Sequence, residues 1–234
     1  MTKAAVYAAT RNLYRDLLPS LKSLLMHSDV ERVYLLIEDP IFPYTLPPEV
    51  ETLNVSRQTY FRRNGPNWDR KWTWMVLMRA ALPFLFPDLD RILSLDCDTI
   101  VTEDISDLWD LPIDSHAFAA AREPQKCLYG STYTNVGVCL YNLRYLRESG
   151  RAAEVVDALN TRRFTFCEQD CLNELCRGEI YDMPSEFNAC DFTDRPARPR
   201  IIHYAAIRDW ARLPLVNTYR DVPWDAIRRP RCDT

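Results

Sequence analysis

Asp96 and Asp98 stand one residue apart at the end of an apolar run, Ile92-Leu93-Ser94-Leu95, and the chain turns apolar again at Ile100 and Val101. Side chains of an extended backbone alternate with period two, so carboxylates at i and i+2 leave a strand on the same side. Such a pair can share one hard cation. Oxygens at a strand end suit Mg2+ or Mn2+, which are held by one or two carboxylates together with substrate phosphates. The pattern alone is weak, since an Asp-x-Asp arises by chance roughly once in a chain of this size. The chain carries its own control: Asp88-Leu89-Asp90 follows Pro87 and precedes the apolar run, which places it in the loop entering the strand. Asp96 and Asp98 fall instead at the carboxyl end, where open α/β sheets bind their ligands. A third ligand is wanted. Of three histidines, His203 is best placed, because it follows Ile201 and Ile202 at the end of another short strand.

The elements that must position these residues alternate between strands and helices. Ala4 to Ala9 reads as a buried strand, followed by an amphipathic helix carrying Leu17, Leu18, Leu21, Leu24 and Leu25. Val33 to Ile37 repeats the strand pattern, Pro40, Pro43, Pro47 and Pro48 mark an extended connection, and Val50 to Val55 is a third strand. Residues 69–82 put Trp74, Leu77, Met78 and Ala81 on one face, which predicts a helix leading into the aspartate strand. Beyond it come strands at Phe118 to Ala121 and Val136 to Tyr141, helices near 143–148, 151–160 and 168–176, and a strand at Arg200 to Tyr204. This alternation predicts a mostly parallel sheet flanked by helices.

With 234 residues, 47% of them hydrophobic, the chain buries a sizeable core and is most simply one domain. A net charge of -4 and the lack of a basic stripe argue against a nucleic-acid partner. Arg195/Arg198/Arg200 and Arg228/Arg229/Arg231 read as solvated faces or ion pairs, the second cluster with Trp224 allowing a weak peripheral membrane contact. No apolar stretch reaches about 20 residues, so no transmembrane segment is expected. Eight cysteines without a signal peptide fit reduced thiols and a cytoplasmic setting. Cys167, Cys171 and Cys176 have the spacing of buried helix positions, with no Cys-x-x-Cys pair to make a zinc site. Five glycines leave no Gly-rich phosphate loop, so a bound diphosphate must be neutralised by metal and side chains.

Six blocks in order resemble family 8 of the glycosyltransferases, the retaining, nucleotide-sugar-dependent group with a GT-A fold. They are YAATRNLY at 7–14, Arg79, LSLDCDTIV at 93–101, TNVGV at 134–138, EQDCLN at 168–173 and an imperfect HYAAIRDW at 203–210. The resemblance runs from about residue 4 to residue 210. It implies a GT-A-type, Rossmann-like mixed sheet in a single domain, with a nucleotide-binding half over about 1–115 and an acceptor and closing half over about 116–234. It also implies Mn2+ or Mg2+ held by Asp96, Asp98 and His203, a UDP-sugar donor, and a glycan or other hydroxyl acceptor. Ala8, Thr10 and Asn12 would line the base and ribose pocket with the Cys97 backbone nearby, and Arg79 would reach the donor with its forked guanidinium. Asn135 would hold sugar hydroxyls, Gly137 would let the donor approach closely, and Glu168 and Asp170 would bind the sugar while Gln169 faces the anomeric carbon.

Retention can arise by double displacement, which needs a carboxylate nucleophile, or by front-face attack. Gln169 is a poor nucleophile, which favours front-face attack with Gln169 as electrostatic support; Glu168 is the alternative nucleophile. The closing block departs from the family's His-x-x-Gly-x-x-Lys-Pro-Trp: glycine, lysine and proline are absent and the spacing is one residue shorter, with Arg208 standing in for the lysine. Thr10 and Arg11 occupy positions where the family commonly has acids. Two other functions compete. A haloacid-dehalogenase-type phosphatase also opens on apolar residues and Asp-x-Asp, with Asp96 as nucleophile, but there the motif follows the first strand. A non-catalytic nucleotide-sugar-binding protein would keep the metal site without transfer.

Overall fold

The computed structural model describes residues 2–69, 72–123, 130, 132–190 and 196–227. Strands β1 (Ala4–Ala8), β2 (Arg32–Ile37), β3 (Val50–Asn54), β4 (Arg91–Leu95), β5 (Thr99–Val101), β6 (Phe118–Arg122), β7 (Thr134–Asn142), β8 (Ile180–Asp182), β9 (Ala189–Cys190) and β10 (Ile201–His203) form two sheets. The larger has seven strands in the order β3-β2-β1-β4-β7-β6-β8, and the smaller runs β5-β10-β9. In the large sheet β7 is antiparallel to both neighbours and the remaining pairs are parallel.

Its central strands are buried on both faces, which is why they read as continuous apolar runs. Along β1, Ala4 and Val6 join one core while Ala5 and Tyr7 join the other. The helices α1 (Leu17–Met26), α2 (Leu82–Leu85), α3 (Leu143–Glu148), α4 (Arg151–Thr161) and α5 (Glu168–Leu175) cover these faces, while α6 (Pro214–Arg220) joins Val216 to a third cluster with Ile100 and Ile202 of the small sheet. Helix α1 contributes Leu17, Leu21, Leu24 and Leu25 to the Ala5/Tyr7 side, while α3, α4 and α5 pack on the other. Tyr7 pairs with Leu35 of β2 and Leu95 of β4, so the loops after β1 and β4 open at the same edge of the sheet.

The expected helix over 69–82 is replaced, in its described part, by 3-10 turns over Trp74–Ala81 that run into the single turn of α2. Pro83 accounts for the last of these turns. It has no N–H to offer the Arg79 carbonyl in an α-helical bond, and that carbonyl instead accepts from Leu82, three residues on. Strands β8 and β9 and helix α6 were not expected from the sequence; they are short, and β8 is only half-buried. Asp88 and Asp90 lie exposed in a loop, as expected of them. The six cysteines among the described residues are all buried, and Cys97, Cys139, Cys171, Cys176 and Cys190 are free thiols. Arg200 pairs with Asp107 at 2.6 Å, whereas Arg195 and the 228–231 cluster lie outside the described residues.

The segment feeding α5 is tied down by one buried amide. Asn67 donates to the carbonyls of Leu159 and Arg162, both at 2.7 Å, and accepts from the Phe164 N–H at 2.9 Å. Replacing it by alanine strands three backbone groups, two of them in the segment leading to α5. Asn67→Ala is expected to cost about 2–4 kcal/mol, taking roughly 1 kcal/mol for each hydrogen bond. Urea unfolding would show it as a lower midpoint at unchanged m; a loss under about 1 kcal/mol would contradict the role.

Candidate active site

β4 ends at Leu95, and the Asp96 N–H makes one further bond to the Gly137 carbonyl at 2.7 Å. Cys97 and Asp98 then form a turn before β5 begins, so the two carboxylates are brought together by a turn and not by the extended i, i+2 geometry expected of a strand. The Thr99 hydroxyl closes the turn by donating to the Asp96 carbonyl at 2.8 Å and meets Ser20 of α1 at 2.8 Å; Ser20 in turn meets the Tyr7 hydroxyl at 3.0 Å. Antiparallel pairing of β5 with β10 sets His203 opposite Thr99, and the Tyr204 N–H binds the Asp98 carbonyl at 2.9 Å. The third candidate ligand is therefore placed by strand register.

His203 Nε2 lies 3.4 Å from an Asp98 oxygen and 3.6 Å from an Asp96 oxygen. One donor atom from each of the three residues falls within 4.8 Å of the others, and this is the one such cluster among the described residues. The charges respond to one another. Burial pushes the His203 pKa down, but the Asp98 carboxylate outweighs it and holds the ring well above the ordinary histidine value. Burial pushes Asp98 up, and His203 more than offsets this, leaving it below the usual carboxylate range. Partial burial raises Asp96, with Arg79 pulling it back and Asp98 adding to the rise. Two carboxylates and an imidazole nitrogen converging in this way fit a divalent cation in their donor chemistry.

Gly137 makes the convergence possible. A Cβ on this residue would sit 2.1 Å from His203 Cε1 and 2.8 Å from an Asp96 carboxylate oxygen. The sequence suggests this glycine leaves room for a donor; here the space against it is taken by the histidine ring. Gly137 lies in a bulge of β7, whose register with β6 jumps from Ala120/Cys139 to Ala121/Asn135. The bulge also reverses side-chain alternation, so that Val136 and Val138, two apart, enter opposite cores. Backbone N–H groups freed there go to side chains: Val136 donates to Gln169 Oε1 at 3.1 Å and Gly137 to Asn135 Oδ1 at 2.9 Å.

Arg79 is 7% exposed and lies under the site. It donates to Asp96 at 2.6 Å and to the Val136 carbonyl at 3.3 Å, and it forms a buried ion pair with Glu168. Burial pushes Glu168 up to about 7 against the pull of Arg79. Gln169 donates to the Tyr133 hydroxyl at 3.2 Å, and that hydroxyl donates to Asp170, which also accepts from the Phe166 N–H at 2.8 Å. Ahead of this run Cys167 holds a φ of +48°, a conformation costing a non-glycine residue about 1–3 kcal/mol and typical of functional sites. Asn135 gives its amide N–H to Glu123 at 2.9 Å, and its oxygen accepts from both Gly137 and Asn188.

Of the other expected residues, Cys97 Sγ rests 3.8 Å from the Ala8 carbonyl, joining the loops after β1 and β4. Thr10 donates to Asn12 at 2.7 Å on the same edge. Arg11 draws in acids from the end of β2: its N–H binds Glu38 at 2.8 Å and its Nε binds Asp39 at 3.0 Å. Arg208 is not brought into the cluster; it is exposed, in a loop where Ala206, at the place of the family glycine, has a φ of +64°. Asn188, Glu123 and Tyr133 escape sequence reasoning because each acts through a partner at least 12 residues away.

A mixed, mostly parallel sheet with an aspartate loop at its carboxyl edge, met there by a histidine from a small second sheet, defines a GT-A-type glycosyltransferase fold. Residues 6–210 match Glycosyl transferase family 8, and the chain belongs to that family. Membership sets aside the phosphatase reading of Asp96. A probable glycosyl transferase, Gly, of Streptococcus gordonii is 30% identical over 238 residues, covering 95% of this chain and 35% of that protein. Glycosyltransferase GlyE of Streptococcus pneumoniae serotype 4 is 25% identical over 247 residues, covering 95% of this chain and 57% of that one. The chain thus spans about a third to just over half of the length of these relatives. The structure of the galactosyltransferase LgtC with donor and acceptor sugar analogs superposes with a TM-score of 0.69 at 21% identity, covering 95% of this chain and 98% of that one. That of GlyE gives 0.70 at 20%, covering 97% and 62%. Among the described residues no helix is long and apolar enough to cross a membrane.

Gly137→Ala tests the central packing. Its methyl group cannot share space with the His203 ring, so thermal unfolding should show a loss of about 1–3 kcal/mol, as for an overpacked core. A melting temperature equal to that of the wild type would contradict the geometry.

Proposed function

We propose that the chain is a retaining glycosyltransferase that moves a hexose from a UDP-sugar to the hydroxyl of a glycan or other acceptor. The observation that carries the reading is the Asp96/Asp98/His203 cluster on the sheet edge, next to the β7 bulge that fixes Gln169. Asp96, Asp98 and His203 would hold Mn2+ or Mg2+, which when bound supplies Lewis-acid stabilisation to a leaving nucleoside diphosphate. Ala8, Thr10, Asn12 and the Cys97 backbone then face the base and ribose.

Gln169 is oriented before substrate arrives. Its oxygen accepts from Val136 and its amide donates to Tyr133, which leaves one N–H and one lone pair to turn toward the sugar. In the front-face route, the acceptor oxygen bonds to the anomeric carbon as the bond to phosphate breaks, and the departing phosphate oxygen takes the acceptor's proton. Gln169 supports the positive charge that develops on the sugar. Glu168 is the weaker candidate nucleophile, because its carboxylate is engaged by Arg79 beneath the site. In this reading it holds Arg79 against Asp96, while Asp170, braced by Tyr133, meets sugar hydroxyls and Arg208 approaches the diphosphate from the closing loop. Among the described residues, the buried thiols Cys97, Cys139, Cys171, Cys176 and Cys190 support a cytoplasmic setting.

Calorimetry with UDP should show binding that requires Mn2+, is abolished in Asp98→Ala and falls at least tenfold in His203→Ala. Unchanged binding in both variants would sink the metal assignment. A panel of UDP-sugars should then reveal one that is slowly hydrolysed with Mn2+ and spared in Gln169→Ala. Metal-dependent binding without hydrolysis of any of them would favour the non-catalytic reading.

A further inference from the structure

We infer that Asn188 is a positioning residue that keeps a proton on His203 Nδ1 and so turns Nε2 toward Asp96 and Asp98; the inference rests on the metal-site reading above. The assignment follows from donors and acceptors that cannot exchange roles. The Gly137 N–H can only donate, so the atom of Asn135 facing it at 2.9 Å is the amide oxygen. The other end of the same amide lies 2.9 Å from a Glu123 carboxylate oxygen, which agrees, since that end must be the NH2 group. The Asn135 oxygen and the Asn135 backbone carbonyl are then the two acceptors met by Asn188, at 3.1 and 3.2 Å, so Asn188 turns its NH2 toward them. Its oxygen is left facing His203 Nδ1 at 2.9 Å, and Nδ1 must carry hydrogen.

Each member is nearly out of water: Glu123 is 5%, Asn135 7%, Asn188 4% and His203 3% exposed. Reversing the Asn188 amide would set its oxygen against two acceptors, and removing the Nδ1 proton would set a lone pair against the Asn188 oxygen. Cys190 Sγ, 4.0 Å from Nδ1 and 3.9 Å from the Asn188 oxygen, is too weak a donor to replace either partner. A backbone N–H in the β7 bulge thus fixes the tautomer of a side chain on β10. Outer partners of this kind commonly change metal affinity 10–100-fold.

The test is proton–nitrogen correlation NMR on histidine-labelled protein, titrated with Mg2+ and UDP. In the wild type, Nδ1 should stay protonated while the Nε2 signal moves. A ring that ligates through Nδ1 or loses the Nδ1 proton overturns the inference alone; a ring in which neither nitrogen responds overturns it together with the metal reading. Asn188→Leu should lower Mn2+ affinity, read as free Mn2+ by electron paramagnetic resonance, by about 10–100-fold. Asn188→Asp keeps an acceptor on Nδ1 while losing the donor to Asn135. It should melt lower than the wild type yet hold Mn2+ more tightly than Asn188→Leu. Equal Mn2+ affinity in the wild type and Asn188→Leu would overturn the role, and the wild-type titration decides the matter if the leucine variant does not fold.

Discussion

The His203 ring occupies the space that a side chain on residue 137 would need, with Cε1 only 2.1 Å from where a Cβ would stand. The site depends on that contact. It lets a residue of the small sheet reach across to a strand of the large one, so that an imidazole from β10 meets two carboxylates from the end of β4. The same bulge that exposes Gly137 takes Val136 and its N–H out of the ladder and gives that N–H to Gln169. One irregularity in β7 thus aims three candidate site side chains: His203 by steric room, Asn135 through the Gly137 N–H, and Gln169 through the Val136 N–H.

Electrostatics accounts for the rest of the arrangement. Asp96 and Asp98 crowd two negative charges at a partly buried edge, and the protein answers with Arg79 from below and His203 from the side. Arg79 carries a second buried partner, Glu168, which ties the first turn of α5 to the aspartate loop. Breaking a buried pair by removing one partner commonly costs about 3–5 kcal/mol, so these charges hold the loop and the helix in one geometry. The strained Cys167 backbone fits the same picture: Asn67 and the Arg79–Glu168 pair fix the chain on either side of a conformation that a free loop would leave.

Much of this was legible in the sequence, for physical reasons that can be named. Strands buried on both faces must be apolar throughout, so β1, β2, β4 and β7 announce themselves, and the aspartates at the end of β4 stand out against them. Asp88 and Asp90 were separable from Asp96 and Asp98 because position relative to the apolar run decides burial. Other features depend on pairings the chain order hides. Asn188 lies 53 residues from Asn135, and nothing local to Phe187-Asn188-Ala189 marks it as a partner of His203. The segment 74–81 has helical periodicity, yet it winds as 3-10 turns, and Pro83 removes the donor that would close the last α-helical bond. The aspartates were expected on an extended backbone, and the pairing of Thr99 with both Ser20 and the Asp96 carbonyl bends it into a turn.

The most direct test of the account is anomalous scattering from crystals grown with Mn2+ and UDP, collected on either side of the manganese absorption edge. One strong manganese peak bonded to Asp96, Asp98 and His203 Nε2 is expected, with UDP density running from it toward Ala8 and Thr10. Manganese bound elsewhere, or UDP bound with no metal between it and the aspartates, would contradict it.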